Sequence, residues 1–379
     1  MSYTFEIHKN PSELPSNWDD IIGSHNVMLS QGYLCALYTS APSNMKCYHV
    51  AVFQYNELIG GVIFQYLDFQ YHSTFQKNEV WCSIRNFLAR RYSKNVMILG
   101  NNMLTGQNGF YFDTSKISVE ELFPLLMEIV QKMQKEVGKT SLIIFKDYQE
   151  SFLPYFNTEM YSSYYKFTVQ PNMILDIRDN WNNFDGYLSD FSKKYRSRAK
   201  SAKNKLVGIE KHEMSINDIK KHREVMDILY QNVAENAPFN TFFLSKNHFE
   251  EMKKELNESF RVFGYFLNKR LIGFYTLILN AKDIDTYFLG YDKLLQKDKQ
   301  VYLNMLFDMV EFGIKNHYQR IIFGRTALEI KSTVGAEPVK IFGLIKHRNR
   351  MLNRLIKIIF PSVNPETEWI QRKPFKEND

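Results

Sequence analysis

Apolar positions along the chain fall into strand-like and helix-like runs, and the order of those runs repeats. The run 48–66 reads as an apolar strand, a short polar turn, then Leu58-Ile59-Gly60 leading into a second apolar strand. The run 260–278 has the same form, with Leu271-Ile272-Gly273 after its turn. Both predict β-hairpins. The elements after each hairpin match as well. A strand ending in glycine at 95–100 leads through a loop to a helix over about 119–137. That helix carries Leu122, Leu125, Leu126, Ile129, Val130 and Met133 at helical spacing. A buried strand over 140–145 closes the unit. In the second half the glycine-ended strand is 285–290, the helix runs over about 300–316, and the closing strand is 320–324. Val301, Leu303, Leu306, Phe307, Val310 and Ile314 form that helix's apolar face.

Each half also opens with a strand, at 3–9 and 207–214, followed by helical stretches at 17–39 and 222–256. So many elements in one order predict two copies of one α/β unit. The crossing falls at the Tyr-rich stretch 161–167 and Gln170-Pro171. The expected domains are 1–170 and 171–379, the latter with a basic helix at 188–206 and a basic amphipathic segment at 339–363.

A length of 379 residues suits two domains. Aromatic residues make up 15%, which fits sheet-rich cores. The three cysteines, Cys35, Cys47 and Cys82, form no C-x-x-C pair, which argues against a disulfide scaffold or a cysteine zinc site. The first residues lack a basic n-region and an apolar h-region, and no run has the roughly 18 apolar residues of a membrane span. The expected location is cytoplasmic, including peripheral attachment at the inner face of a membrane.

The order of strand, helices, meander, Gly-loop, helix and strand resembles the GNAT acyltransferase fold. Two such units in tandem resemble the Fem-type, peptidoglycan biosynthesis and recognition branch of that superfamily. Two further segments carry the likeness: the basic stretch ending 188–205, and 324–339 followed by His347-Arg348-Asn349-Arg350. The resemblance implies two tandem GNAT-like domains, each a mixed, mostly antiparallel sheet flanked by helices. It also implies an acyl-thioester donor. The chain departs from the pattern in one respect: GNAT enzymes typically carry Gln/Arg-x-x-Gly-x-Gly/Ala before the central helix. Here the second half has only Gly290, and the Gly100–Gly109 stretch of the first half lies well ahead of its helix.

Three segments carry candidate chemistry. Between Phe191 and Leu206 stand Lys193, Lys194, Arg196, Arg198, Lys200, Lys203 and Lys205 with no acid, a block that calls for an anion. Gly290 opens a strand-to-helix segment bearing Lys293, Lys297 and Lys299, and a helix N-terminus there suits pyrophosphate. Gly290, these three lysines, Arg196 and Arg198 are the candidate donor-binding residues. After the closing strand come Arg325, Glu329 and Lys331, where α/β ligands often bind. Acyl transfer to an amine needs a base, a charge stabiliser and a proton for the leaving thiolate. Glu329 is the candidate base, Arg325 or Lys331 the stabiliser and Tyr291 the acid. The competing reading of each is an ordinary surface pair.

Histidines are scattered and His-Glu-x-x-His is absent, so no metal is expected. Gly-x-Ser-x-Gly and Gly-Lys-Ser/Thr phosphate loops are absent too. The last segment, 339–363, has Lys340, Lys346, Arg348, Arg350, Arg354 and Lys357 and no acid, interleaved with apolar residues. It reads either as a helix packing on the second domain or as a surface for anionic or lipid-like partners.

These features predict an N-acyltransferase that moves an acyl group directly from acyl-CoA to a small-molecule or lipid-like amine, in cell-envelope or lipid metabolism. Direct transfer is expected because no cysteine or Ser–His pair is placed to carry an intermediate. The alternatives are an aminoacyl-tRNA donor, as in Fem-type enzymes, and a catalytically silent recognition module. DNA is not an expected partner.

Overall fold

Both predicted hairpins form, and both close through the same kind of turn. In the computed structural model, β2 (Met45–Gln54) and β3 (Glu57–Asp68) meet at Tyr55-Asn56, and β10 (Phe260–Leu267) and β11 (Arg270–Asn280) meet at Asn268-Lys269. All four turn residues have φ between 50° and 65°. Two successive left-handed residues make the turn whose twist matches the flanking strands.

The structure describes residues 3–70, 91, 93–237, 240–363 and 368–376. Cys82 lies outside them. Two units are distinguished. The first comprises Met1–Gln170, Ala237–Glu251 and Lys340–Glu366; the second comprises Pro171–Asn236, Met252–Val339 and Thr367–Asp379.

The first unit's sheet runs β1 (Tyr3–His8), β2, β3, β4 (Asn95–Leu99), β6 (Leu142–Gln149), β15 (Ile341–His347), β7 (Tyr165–Thr168), with β5 (Phe110–Phe112) on β3. The second runs β9 (Ile209–Glu213), β10, β11, β12 (Asp283–Tyr291), β13 (Arg320–Gly324), β8 (Asn172–Asp176), β14 (Glu337–Val339). Each sheet holds one parallel pair, β4 with β6 and β12 with β13, and is otherwise antiparallel. The two orders correspond strand for strand.

Each parallel pair is linked by a crossover helix that covers one face of its sheet. In the first unit this is α3 (Val119–Val137), started by a capping box between Ser118 and Glu121. Its apolar face packs on Val50, Val52, Val62, Phe64, Met97 and Phe145. The short α4 (Leu153–Phe156) adds Phe156, edge-on to Phe123 of that helix. In the second unit the crossover is α10 (Val301–Lys315), packed on Tyr275, Leu277, Ile284 and Ile321. The opposite faces carry α1 (Trp18–Ile21) and α2 (Gln31–Ser40) in the first unit and α7 (Ile216–Ala234) in the second.

Two expectations need correcting. The helical stretch 222–256 is two helices, α7 and α8 (His248–Leu256), with 237–251 belonging to the first unit. Asn44 and Asn102 hold that segment through the Thr241 carbonyl (2.9 Å) and hydroxyl (2.8 Å). The segment 339–363 is not one helix of the second unit: from Lys340 it belongs to the first unit and starts with a strand. Its β15 pairs with β6 and β7, and its continuous apolar run Ile341–Ile345 is buried between them in the first unit's sheet. Helix α12 (Arg350–Val363) comes next, and Asn353 ties it to the Ser163 carbonyl (2.8 Å) of the same unit.

Candidate active site

In the second unit the parallel pair is short. β12 and β13 are joined only at Asp283–Arg320, Ile284–Ile321 and Asp285–Ile322. Beyond these positions β12 continues to Tyr291 on β11, with a bulge at Tyr287 and Phe288, while β13 keeps its antiparallel pairing with β8 as far as Gly324. The ladder between β12 and β13 therefore ends at Asp285 and Ile322. The candidate residues after Gly290 and after Gly324 both lie at this carboxyl end of the pair.

Gly290 is not a loop glycine. It lies within β12, and a Cβ there would stand 2.5 Å from the backbone of both Leu229 and Tyr230 on α7. The glycine lets the helix backbone approach the strand. No glycine loop comes after it. After the short α5 (Phe184–Ser189), α6 (Lys193–Asn204) holds the cations of the basic stretch up to Lys203, and α9 (Lys293–Lys299) begins two residues after Tyr291. Gln300 then takes a left-handed φ of 48° and α10 starts at Val301. The Gln296 side chain accepts the Tyr302 N–H (2.8 Å), so one of the amides expected to face phosphate is already used.

The structure does bring the two basic features together. Asn304 donates to the Ala202 carbonyl (2.8 Å) near the end of α6, and Lys299 reaches the Val207 carbonyl (3.4 Å). Lys193, Lys194, Arg198, Lys200, Lys293 and Lys297 are exposed, whereas Ala199 and Ala202 are buried against the core. Lys203 is instead engaged with Glu311 (2.7 Å), and Arg196 with the Phe191 carbonyl (3.0 Å).

The post-strand cluster is built on a strained corner. Gly324, Thr326 and Ala327 have φ of 72°, 71° and 47°, and such conformations persist only where the surroundings enforce them. Lys331, on α11 (Leu328–Thr333), supplies that force. It is buried, and Nζ donates to the carbonyls of Phe323 (2.6 Å), Gly324 (3.2 Å) and Arg325 (2.7 Å). Burial, and secondarily Arg325, push its pKa down to about 7. These three bonds use all its donors, so Lys331 organises the corner and is not the charge stabiliser the sequence suggested. Arg325 remains half-buried at the corner.

Glu329 points outward and pairs with Arg372. Arg372 belongs to the tail 368–376, to which the sequence pattern assigns no element. The tail's Phe375 packs among Trp181, Tyr187 and Phe191, and its Pro374 carbonyl accepts the Ser192 N–H at the start of α6 (2.9 Å). Tyr291 is half-buried, and burial raises its phenol pKa, which keeps it protonated near neutral pH.

Asp285 is a further candidate that the sequence pattern does not single out. It stands at the last paired position before the strands part. It is 2% exposed, and its Oδ2 lacks a hydrogen-bond partner. Burial, then the neighbouring Asp283, push its pKa up to about 7. Acids at alternate positions of an otherwise apolar strand, Asp283 and Asp285, are the signal that could have found it.

In the first unit the Gly100–Gly109 loop offers no empty cradle of amides. The N–H groups of Asn102, Met103, Gly106 and Gly109 donate to Gln65 (2.5 Å), Asn101 (2.9 Å), Asp147 (3.2 Å) and Gln107 (3.1 Å). Contrary to expectation, a Ser–His pair does form in this unit: Ser40 Oγ lies 3.0 Å from His248 Nδ1. Both are buried, and Ser40 donates its proton to the Ala36 carbonyl (2.6 Å), so the hydroxyl is bonded back into its own helix α2. Among the described residues no three His, Cys, Asp or Glu side chains gather as a metal site.

This architecture is a tandem GNAT-like fold, two mixed α/β units each with one parallel strand pair. No protein-family model and no curated protein matches the chain. Among solved structures it is similar to FemX, with a TM-score of 0.56 and 14% identity, over 94% of this chain and 100% of that one. It is also similar to a tandem GNAT protein from the clavulanic acid biosynthesis pathway (TM-score 0.51, 9% identity, 92% and 99% covered). A third is the C-terminal domain of an Agrobacterium fabrum protein assigned as a lysylphosphatidylglycerol synthetase (0.51, 9%, 93% and 98%).

Proposed function

We propose that the chain is an N-acyltransferase that moves an acyl group from a thioester, with acyl-CoA as the leading donor, to an amine. The observation that carries this reading is the parting of β12 and β13 after Asp285 and Ile322. The point where a parallel ladder ends, at the carboxyl end of its strands, suits an extended ligand with amides of its own, such as a pantetheine arm. The thioester would then lie toward the Gly324–Ala327 corner. The amine loses a proton to a carboxylate, its nitrogen attacks the thioester carbon, and the thiolate leaves and takes a proton. Asp285 and Glu329 are the carboxylates at hand, and Tyr291 holds the proton for the thiolate. Arg325 stands at the corner where negative charge develops.

The phosphate end of the donor is assigned to the exposed face shared by Lys293 and Lys297 with α6, not to an amide loop. A second reading rests on the same face. Gln296 occupies part of the α10 N-terminus, and six exposed cations line α6 and α9. That favours a larger polyanion, so aminoacyl-tRNA is the alternative donor. FemX, the first of the similar structures, carries the name of the Fem group that this reading invokes.

The experiment offers purified full-length protein a panel of acyl-CoAs and amines and measures free thiol, alongside CoA and tRNA binding. Thiol release that depends on the amine supports acyl-CoA. Binding of tRNA that falls steeply with salt, without thiol release, moves the assignment to the second donor. Neither activity nor binding of either donor leaves the silent recognition module.

A further inference from the structure

Helix α12 has an apolar arc wider than the face it packs. Ile356 is buried and Leu352 half-buried on the side toward the first unit. Met351, Leu355 and Ile358 continue the arc, one turn apart along the helix, and are 76%, 43% and 74% exposed. Arg350, Arg354 and Lys357 flank this exposed stripe on its other side and are themselves exposed. The helix is fixed in place. Asn349 accepts the N–H groups of Met351 (2.9 Å) and Leu352 (3.2 Å), and Asn353 accepts the His347 N–H (2.8 Å).

A second feature of the same unit lies beside the start of this helix. An open depression of about 550 Å³ is lined by Gln131, Gln134, Lys135, Lys139 and Arg348, together with Gly138 and Thr140. Among the described residues, none of its three cations is engaged in an ion pair. It sits at the carboxyl end of α3, where helix carbonyls favour cations, and its lining contains no acid.

From these two features we infer that the first unit docks on an anionic lipid bilayer, with α12 lying in the interface. Met351, Leu355 and Ile358 enter the acyl boundary. Arg350, Arg354 and Lys357 meet headgroup phosphates, and the Lys135–Lys139–Arg348 depression seats a further headgroup. An exposed apolar stripe flanked by cations without acids is complementary to a surface that is apolar below and negative above. A protein partner would need matching acids and an apolar groove together, whereas the bilayer offers both everywhere. Among the described residues no helix is long and apolar enough to cross a membrane, so the contact is with the surface. This inference is independent of the acyl donor.

The test is sedimentation of the full-length protein with vesicles of phosphatidylcholine alone or with about 30% phosphatidylglycerol. Binding to the anionic vesicles only, weakening as salt rises, is the expected result. Met351→Ser/Leu355→Ser/Ile358→Ser should bind at least tenfold more weakly with unchanged melting, since all three side chains are exposed. Arg350→Gln/Arg354→Gln/Lys357→Gln should lose about tenfold at low salt and show a flatter salt dependence. Lys135→Gln/Lys139→Gln/Arg348→Gln should weaken binding to the anionic vesicles. Equal binding to both vesicle types, no binding, or unaltered binding of the serine variant would overturn the proposal. So would a dimer that the serine variant dissociates without any vesicle binding.

Discussion

Lys331 Nζ donates to the Phe323 carbonyl oxygen at 2.6 Å, closing β13 with the helix after it. Two more carbonyls, of Gly324 and Arg325, share the ammonium. Lys331→Met keeps the volume and removes all three bonds. Leaving buried carbonyls without donors costs roughly 1–3 kcal/mol each at most, and relaxation recovers part, so a net loss of about 3 kcal/mol is expected. Thermal unfolding of the variant beside the parent chain checks it. Loss of turnover at unchanged stability would return Lys331 to a direct role.

Gly290 separates packing from ligand binding. Gly290→Ala places a methyl 2.5 Å from the backbone of Leu229 and Tyr230. Either α7 or β12 must move, at a cost of about 1–3 kcal/mol. The expected outcome is a lower melting temperature, with any loss of donor binding independent of salt. A salt-dependent loss of donor affinity at unchanged melting would mark it as a phosphate site.

The repeat is legible in the sequence because hairpins and amphipathic helices leave local signatures. Leu58-Ile59-Gly60 and Leu271-Ile272-Gly273, and the apolar spacings of α3 and α10, name most elements of both sheets. The rest is non-local. Nothing in Ile341–His347 distinguishes pairing with β6 from pairing in the other sheet, since both offer an apolar edge. Gly290 resembles a loop glycine because its partner, the α7 backbone, is about 60 residues away in sequence. Lys331 resembles surface chemistry because only the folded corner brings three carbonyls around it. Asp285 stays hidden because Asp283 and Asp285 match no motif, and only the folded sheet shows that Asp285 is the buried one of the two.

Acid should weaken the first unit. His49 and His248 are buried, and burial lowers both to a pKa of about 4 from 6.5. Between those values the unfolded chain holds protons that the folded rings refuse. Stability therefore rises with pH through this window and is lost as pH falls from about 6.5 to 4. Each ring accounts for about 3 kcal/mol of that loss. Urea titrations at stepwise pH should show it, and His49→Met should remove roughly half of the slope. A slope unchanged in that variant would rule out the ring as its source.

The lysines next to α10 should matter for donor binding without affecting the fold. Lys293→Ala/Lys297→Ala/Lys299→Ala removes two exposed side chains and one that reaches the Val207 carbonyl. Melting should stay within about 0.5 kcal/mol of the parent chain, as for ordinary surface changes. Donor affinity should fall, more at low salt than at high salt, because solvent-exposed charges are screened over about 10 Å at 0.1 M salt. Normal affinity at low salt would move the phosphate end elsewhere.

Asp285 and Glu329 can be told apart because their environments have opposite consequences. Glu329 is exposed and held by Arg372, so Glu329→Gln breaks a surface pair that contributes about 1 kcal/mol or less. Asp285 is buried, with a pKa raised from 3.8 to about 7. Between those values the folded carboxyl keeps a proton that the unfolded chain has released. Its contribution to stability is therefore greatest below pH 3.8 and is lost as pH rises through 7. Asp285→Asn removes this burden, so the variant should gain stability over the parent chain at pH 8 and little at pH 4. If Asp285 is the base, the same variant should lose at least 100-fold in turnover while donor affinity stays unchanged, since general-base catalysis contributes roughly 10²–10⁴. Greater stability with lost turnover is the signature of a carboxyl buried for chemistry. The reverse, turnover lost in Glu329→Gln and kept in Asp285→Asn, would assign the proton transfer to Glu329 and leave Asp285 as a structural acid at the point where the strands part.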